Sequence, residues 1–332
     1  MRRLSIFSRA AFACFLLLAL FMLFAPFTPF ARFLASAEPD ASDTPKRIAG
    51  RVEETIMPGR TFKSDAERMQ RIVELERRDE ALIAKMQPPV MYCHRVADGS
   101  IKIDGKLDDP AWKQADVAAN FRNTRPPFNA LKFPTRVMLL WDSKYLYVGF
   151  DCPDTDVVAT ITQRDGELWR EDAAEVFLNP SCDGMTYLEY EVSPRGVLYD
   201  GALADYRPET DWLDYKHLDV EKSLRIYNVR DSKVAAHVDG TLNDSTDEDK
   251  GWTCEMAISW ADIARGTFVR TDVPQAGDRW RIGLYRINVK AHGDDKLAEY
   301  GAWSPTTVWF HNPKLFGHVI FVDQLGDKEH GK

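Results

Sequence analysis

The sequence predicts an all-β protein, an antiparallel β-sandwich of the jelly-roll or immunoglobulin-like kind. Three observations support this class. Short segments after Val90 alternate apolar and polar residues with a period of two, turn residues separate them, and one short helical signal interrupts them. The 332 residues are 45% hydrophobic and 28% charged, a globular composition that excludes a disordered, collagen-like or polytopic membrane chain.

The N-terminal segment is typical of export. Arg2 and Arg3 precede an apolar run over 10–30, and the run is followed by the small residues 35–37 (ASA). This pattern predicts a signal peptide over 1–37, cleaved after Ala37, and a secreted or periplasmic, cell-envelope location. The alternative is an uncleaved anchor helix, because the run approaches the roughly 20 residues that a membrane span needs.

The net charge argues against nucleic acid as the main partner. The chain carries −8, and removal of the four arginines of 1–37 leaves −12. An acidic chain without a basic stripe lacks the positive surface that phosphate binding requires.

Residues 38–89 are predicted to form a linker followed by a charged helix. Ser64 and Glu67 form a capping box, the helix is expected to run to about Met86, and Pro88-Pro89 ends it. The β-sandwich is predicted over 90–325, with a polar tail at 326–332.

The strands of the sandwich are predicted from their alternation, and the helix over 259–264 from its own pattern. The strand segments are 135–142, 145–152, 174–179, 187–193, 197–200, 233–239, 252–258, 279–289 and 318–323.

Four cysteines remain after the predicted cleavage: Cys93, Cys152, Cys182 and Cys254. In an oxidising compartment they allow three disulfide pairings, and the sequence does not choose among them. The alternative is that they are small buried apolar residues.

The chain contains no nucleophile-elbow, zinc-protease, P-loop or dinucleotide motif, so no catalytic residue is predicted. Two of its nine tryptophans, Trp169 and Trp309, fall in loop-like contexts. Such a tryptophan either covers the edge of the core or offers a flat face on which the C–H face of a sugar ring can stack. Asp172 and Glu175 follow Trp169 closely and would suit the hydroxyls of a sugar.

Five segments, in order, resemble the family 9 carbohydrate-binding modules and their wider DOMON-like β-sandwich relatives. The resemblance covers roughly 101–323. The segments are 103–112 (IDGKLDDPAW), 140–148 (LWDSKYLYV), 169–178 (WREDAAEVFL), 302–304 (AWS) and 309–317 (WFHNPKLFG).

The resemblance implies that two tryptophans hold a terminal sugar between them. Trp169 and Trp309 stand at the matching positions, and Glu175 matches the glutamate that bonds sugar hydroxyls. Asp172, which shares this motif, is a second candidate ligand. For both acids the alternative is a buried hydrogen-bond network that holds the fold.

Part of the family's polar set differs here. Glu191 stands near the position of the family's arginine, and Thr306 stands near that of an amide residue. Arg286 and Asn288 are candidate replacement donors, with placement in the core or at its edge as the alternative.

The family resemblance also implies that structural calcium can be bound. Asp151, Asp154 and Asp156 form a compact acidic segment with the oxygen ligands that calcium prefers. The alternative is a solvated acidic loop, and no other cofactor is predicted.

The sequence therefore predicts an exported, non-catalytic carbohydrate-binding protein that takes part in polysaccharide catabolism, with a separate glycoside hydrolase as a candidate partner. One alternative is hydrolysis of O-glycosyl bonds, which needs two carboxylates flanking the bond, with Glu171, Asp172 and Glu175 available. Others are a haem-binding module and a structural envelope domain whose two loop tryptophans pack inward.

Overall fold

The computed structural model describes residues 77, 80–81, 84, 87–124, 128–184, 186–203, 227–267, 273–304, 306 and 310–323. The predicted signal peptide, the linker, most of the charged helix and the polar tail lie outside these residues, as does Trp309. No helix among the described residues is long and apolar enough to cross a membrane.

The described residues form a β-sandwich, which confirms the predicted fold class. The predicted strand segments and the short helix are all present, the helix as α1 at Trp260–Gly266. The strands are β1 (Val90–Arg95), β2 (Val117–Ala118), β3 (Arg122–Asn123), β4 (Arg136–Trp141), β5 (Tyr145–Pro153), β6 (Ala173–Asn179), β7 (Tyr187–Val192), β8 (Leu198–Leu203), β9 (Lys233–Asp239), β10 (Gly251–Ser259), β11 (Arg279–Asn288), β12 (Glu299–Ala302) and β13 (Gly317–Val322).

The strands form one hydrogen-bonded path in the order β8-β7-β6-β11-β13-β1-β4-β5-β10-β9. Strand β1 connects the two halves of this path and lies parallel to both β13 and β4. The other named pairs are antiparallel, as in β10 with β5, where Cys254 faces Phe150. Strand β12 pairs with β11 and β3, and β2 pairs with β4.

The main core lies between the two halves. In β6, Ala174, Val176 and Leu178 point into it, and in β10 the predicted alternating set Trp252, Cys254, Met256 and Ile258 does the same. A period of two places all of these on one face of their strands, where burial of their apolar surface stabilises the sandwich.

Each outer face is also covered. Residues of 101–112, with Trp112 at the end, pack on the outer face of β4, β5 and β10. Phe310 and Phe316 pack on the outer face of β6, β7 and β11. Strands β6 and β7 are therefore buried along their whole length.

The four described cysteines carry free thiols. Cys93, Cys152 and Cys254 are fully buried, and Cys182 is partly exposed. Burial raises the pKa of the Cys152 thiol to about 12, which keeps it in the neutral form.

Candidate functional site

The candidate site is built on the outer face of β8, β7, β6 and β11. One row of cross-strand partners runs over this face through Tyr199, Glu191, Glu175 and Tyr285. In antiparallel strands such partners have adjacent side chains on the same face. The row therefore places two glutamates between two tyrosines.

Glu189 lies in the next row, between Gly201 and Phe177. Since side chains two residues apart share a face, Glu189 points to the same side of β7 as Glu191. We call Glu175, Glu189 and Glu191 the glutamate trio. One ligand oxygen of each lies within 4.8 Å of the others. Among the described residues, this is the one group of three His, Cys, Asp or Glu side chains close enough to hold a metal ion.

The glutamate trio is buried, with 1–3% of each residue exposed. Burial raises the pKa of Glu189 to about 7, although a hydrogen bond with Glu191 works against the rise. Burial and the charge of Glu189 hold the pKa of Glu175 well above its usual range. Burial and the charges of Glu175 and Glu189 also hold the pKa of Glu191 well above its usual range. The site thus concentrates carboxyl groups that resist losing their protons.

An aromatic wall borders the glutamate trio. Phe310 stacks on Tyr285 with ring centroids 4.2 Å apart, and the Tyr285 hydroxyl donates a hydrogen bond to the Phe310 carbonyl at 3.0 Å. The His311 ring lies 5.2 Å from the Phe177 ring. These contacts hold the segment 310–316 against the outer face.

His311 is the basic group beside the trio. Its Nδ1 forms a 2.7 Å hydrogen bond with the Tyr187 hydroxyl and lies 3.9 Å from Glu189 Oε2. Burial lowers the pKa of His311 to about 3, so the imidazole is neutral at physiological pH.

Trp169 lies at the rim of the same face. It is the middle residue of a 3-10 helix, Leu168–Arg170, which the fully buried Leu168 anchors. The indole remains 38% exposed and meets the Tyr199 ring edge-on, with centroids 5.6 Å apart. Trp169 and Glu175 are thus brought to one region through Tyr199 and Glu191. Trp309 directly precedes 310–316 in the sequence and lies outside the described residues.

Asp172 and Arg286 lie on the opposite, inner side of the sheet. Arg286 is 2% exposed and donates to Asp154 Oδ2 at 2.6 Å. Asp172 accepts hydrogen bonds from the backbone N–H groups of Val158 at 2.7 Å and Val289 at 3.0 Å. Burial outweighs the attraction of Arg286 and raises the pKa of Asp172 to about 7. These contacts are made inside the protein and are of the kind that hold a fold together.

Asn288 is also buried, and its Oδ1 accepts a hydrogen bond from Lys290 N at 3.2 Å. Thr306, near the family's amide position, is 7% exposed.

Cations from other elements lie beside the predicted calcium segment. Asp154 pairs with Arg286, as described above, and Asp156 lies 3.2 Å from Lys290 Nζ. Asp151 is more exposed and lies 3.8 Å from Arg136. A lysine or arginine of the protein therefore lies near each of the three carboxylates.

Residues 103–324 match the family model for carbohydrate family 9 binding domain-like proteins. This match covers more than half of the chain. The chain belongs to this family. The matched range includes the glutamate trio, Trp169 and the position of Trp309.

Three individual relatives of this family 9 protein are each less than 30% identical to it. An extracellular protein of Arthroderma benhamiae is 28% identical over 218 residues, which are 62% of this chain and 86% of that protein. A solved structure of a protein from Bacteroides uniformis is 16% identical, and the match covers 70% of this chain and 99% of that one, with a TM-score of 0.50. This likeness concerns the fold. A family 9 module from Caldicellulosiruptor kristjanssonii in complex with cellotriose is 16% identical, over 73% of this chain and 98% of that one, with a TM-score of 0.45.

Several residues of this face were not predicted as site residues, among them Glu189, Tyr199, Tyr285 and His311. A signal was available for Glu189, because Tyr187, Glu189 and Glu191 alternate with Leu188, Tyr190 and Val192 along β7. His311 reaches the face from a loop 124 positions away from Tyr187 in the sequence, and local pattern carries no information about that contact.

Proposed function

We propose that this family 9 protein binds an oligosaccharide or the end of a polysaccharide at the outer face of β8, β7, β6 and β11. The observation that carries the proposal is the exposed indole of Trp169 beside buried carboxyl groups on one face, within a matched carbohydrate-binding family. A sugar needs both elements, since its ring offers apolar C–H groups and its edge offers hydroxyls.

In this proposal Trp169 supplies one stacking face and Trp309 supplies the other. Glu175 supplies a carboxyl group for the sugar hydroxyls. Asp172, Arg286 and Asn288 act from the inner side of the sheet, where they hold β6 and β11 in the register that positions Glu175. In the acidic segment, Asp154 and Asp156 contribute through their pairs with Arg286 and Lys290, and Asp151 through its pair with Arg136 on β4.

The protein acts outside the cytoplasm, after cleavage at Ala37, and contributes to carbohydrate catabolism beside a separate glycoside hydrolase. Two facts support this placement: the export pattern of 1–37 and the extracellular relative of Arthroderma benhamiae. The role proposed for the chain itself is binding without catalysis.

Isothermal titration of the full chain with glucose and with cello-, xylo- and manno-oligosaccharides tests the proposal. We expect binding to at least one series. Trp169→Ala and Trp309→Ala should each weaken it by at least about tenfold, or 1.4 kcal/mol, because each removes a stacking face.

Tyr92→Ala is the matched control, since Tyr92 is 48% exposed but lies on β1. It should leave the affinity unchanged. Absence of heat with every sugar would overturn the proposal, and so would full affinity in both tryptophan variants. Release of reducing ends from the oligosaccharides would show that the protein is a hydrolase instead.

A further inference from the structure

The glutamate trio buries three carboxyl groups, which can lose their protons only beside a compensating positive charge. Removal of a carboxylate from water is unfavourable unless a partner compensates the lost hydration. Another buried glutamate shows how this cost is met. Glu255, which is equally buried, accepts from Trp112 Nε1 at 2.9 Å and from the N–H groups of Asp104 and Gly105 at 3.0 Å.

Each member of the trio keeps one oxygen without such a partner, although Glu189 and Glu191 also share a hydrogen bond with each other. Glu175 Oε1, Glu189 Oε2 and Glu191 Oε2 are buried oxygens without a hydrogen-bond donor among the described residues. The ion pairs formed by described lysines and arginines include none of these three side chains. His311, at 3.9 Å from Glu189, is held by Tyr187 and is neutral at physiological pH.

The unpartnered oxygens are also close together. Their carboxyl groups come from two adjacent strands, with Glu175 and Glu191 directly opposite each other, and one ligand oxygen of each falls within 4.8 Å of the others. Calcium binds oxygen at 2.3–2.6 Å, so two ligands on opposite sides of the ion are roughly 4.6–5.2 Å apart. The oxygens of the trio therefore fit within one coordination sphere.

We propose that Glu175, Glu189 and Glu191 bind a calcium ion beneath the outer face. A hard cation is favoured, because all three ligands are carboxylate oxygens and because zinc and copper sites favour nitrogen or sulfur. The ion supplies the positive charge that no described lysine or arginine supplies. Calcium takes six to eight oxygens, which leaves positions for water.

This site is separate from the acidic segment Asp151–Asp156, where Arg286 and Lys290 already provide positive charge. It shares Glu175 with the proposed sugar site, but the ion is held by protein oxygens and its binding is measured without sugar. Calcium binding and sugar binding can therefore fail separately.

The test is isothermal titration of CaCl₂ into chelator-treated full chain at pH 7.5, without sugar, together with thermal unfolding. We expect one ion per chain. At roughly 100 times the dissociation constant, calcium should raise the melting temperature by about 5–10 °C, reversed by EDTA. Terbium should compete for the same site and emit when Tyr199 or Trp169 is excited.

Glu189→Gln keeps the shape of the side chain and removes one anionic ligand. Loss of a hydrogen-bond partner that only orients a metal ligand typically weakens metal binding by roughly 10–100-fold. Loss of a ligand charge in Glu189→Gln should weaken calcium binding by more than that. Glu255→Gln and Asp151→Asn are the matched controls, one a buried paired glutamate and the other a carboxylate of the acidic segment. Both should keep the calcium affinity. If Glu189→Gln does not fold, Glu191→Gln takes its place.

Two results would overturn the site. One is that the wild-type chain binds neither calcium nor terbium, in which case the three carboxyl groups share protons instead. The other is that Glu189→Gln binds calcium as well as wild type, or that Asp151→Asn abolishes binding.

Discussion

Arg286 provides the sharpest test of the inner side of the sheet, and Arg286→Met is the perturbation. The guanidinium is 2% exposed, lies 2.6 Å from Asp154 Oδ2 and 4.0 Å from Asp172 Oδ1, and sits 5.1 Å above the Trp252 ring. Methionine fills much of the volume but leaves two buried carboxyl groups without their cation. Loss of one partner from a buried ion pair typically costs 3–5 kcal/mol, so we expect destabilisation of about that size.

Urea denaturation at pH 7.5 measures the free energy of unfolding, and thermal unfolding should show a decrease of about 6–20 °C. Arg136→Met is the control, because Arg136 pairs with Asp151 at 3.8 Å with 58% of its side chain exposed. Exposed pairs contribute about 0–1 kcal/mol. If Arg286→Met lowers the free energy of unfolding no more than Arg136→Met does, the reasoning is refuted.

The loss of unfolding free energy in Arg286→Met should also depend on pH. Burial already raises the pKa of Asp154, and it raises the pKa of Asp172 to about 7. Loss of Arg286 raises both further. A carboxyl group whose folded pKa is above its unfolded value destabilises the fold at high pH, and this cost disappears as the pH falls through the folded pKa. The gap between wild type and Arg286→Met should therefore narrow from pH 7.5 to pH 5. If Arg286 instead contacts sugar, the variant loses affinity at unchanged stability.

Two further predictions concern parts of the scaffold away from the site. Burial works to raise the pKa of Asp262, but hydrogen bonds from the Ser232 hydroxyl and the N–H groups of 230–232 lower it to about 2. The stabilisation from ionised Asp262 is present above pH 4 and is lost as the pH falls towards 2. The urea midpoints of wild type and Asp262→Asn should therefore converge over that range. A constant difference between the two midpoints would contradict this prediction. Gly105→Ala should cost about 1–3 kcal/mol more than Gly99→Ala, because both glycines have positive φ but only the Cβ at Gly105 would clash with the Ala236 backbone. Equal urea midpoints for the two variants would rule out that clash.

The strands differ in how far the sequence could predict them. In β10, the set Trp252 to Ile258 alternates cleanly with its neighbours, so its strand and its inward face were predictable. Strand β1 was not among the predicted strands. It pairs in parallel with β13, more than 220 positions away in the sequence, and that pairing has no local turn to announce it.

The polar residues divide in a similar way. The motif 169–178 identified Trp169 and Glu175 as one neighbourhood, and the structure places both on the outer face. Asp172 comes from the same motif, yet it lies on the inner side with Arg286. The period of two explains the separation, because residues three apart on or beside a strand point to opposite faces.

The sequence by itself determined the β-sandwich, most strand positions and the family, since these depend on local alternation and on motif order. Only the tertiary structure decided that Glu189 joins Glu175 and Glu191, and that Arg286 is an internal partner of Asp154. Both facts depend on which strands become neighbours and on which segment covers each face. The physical reason is that a buried carboxyl group or guanidinium stays charged only beside a partner. The tertiary structure decides which partner is near.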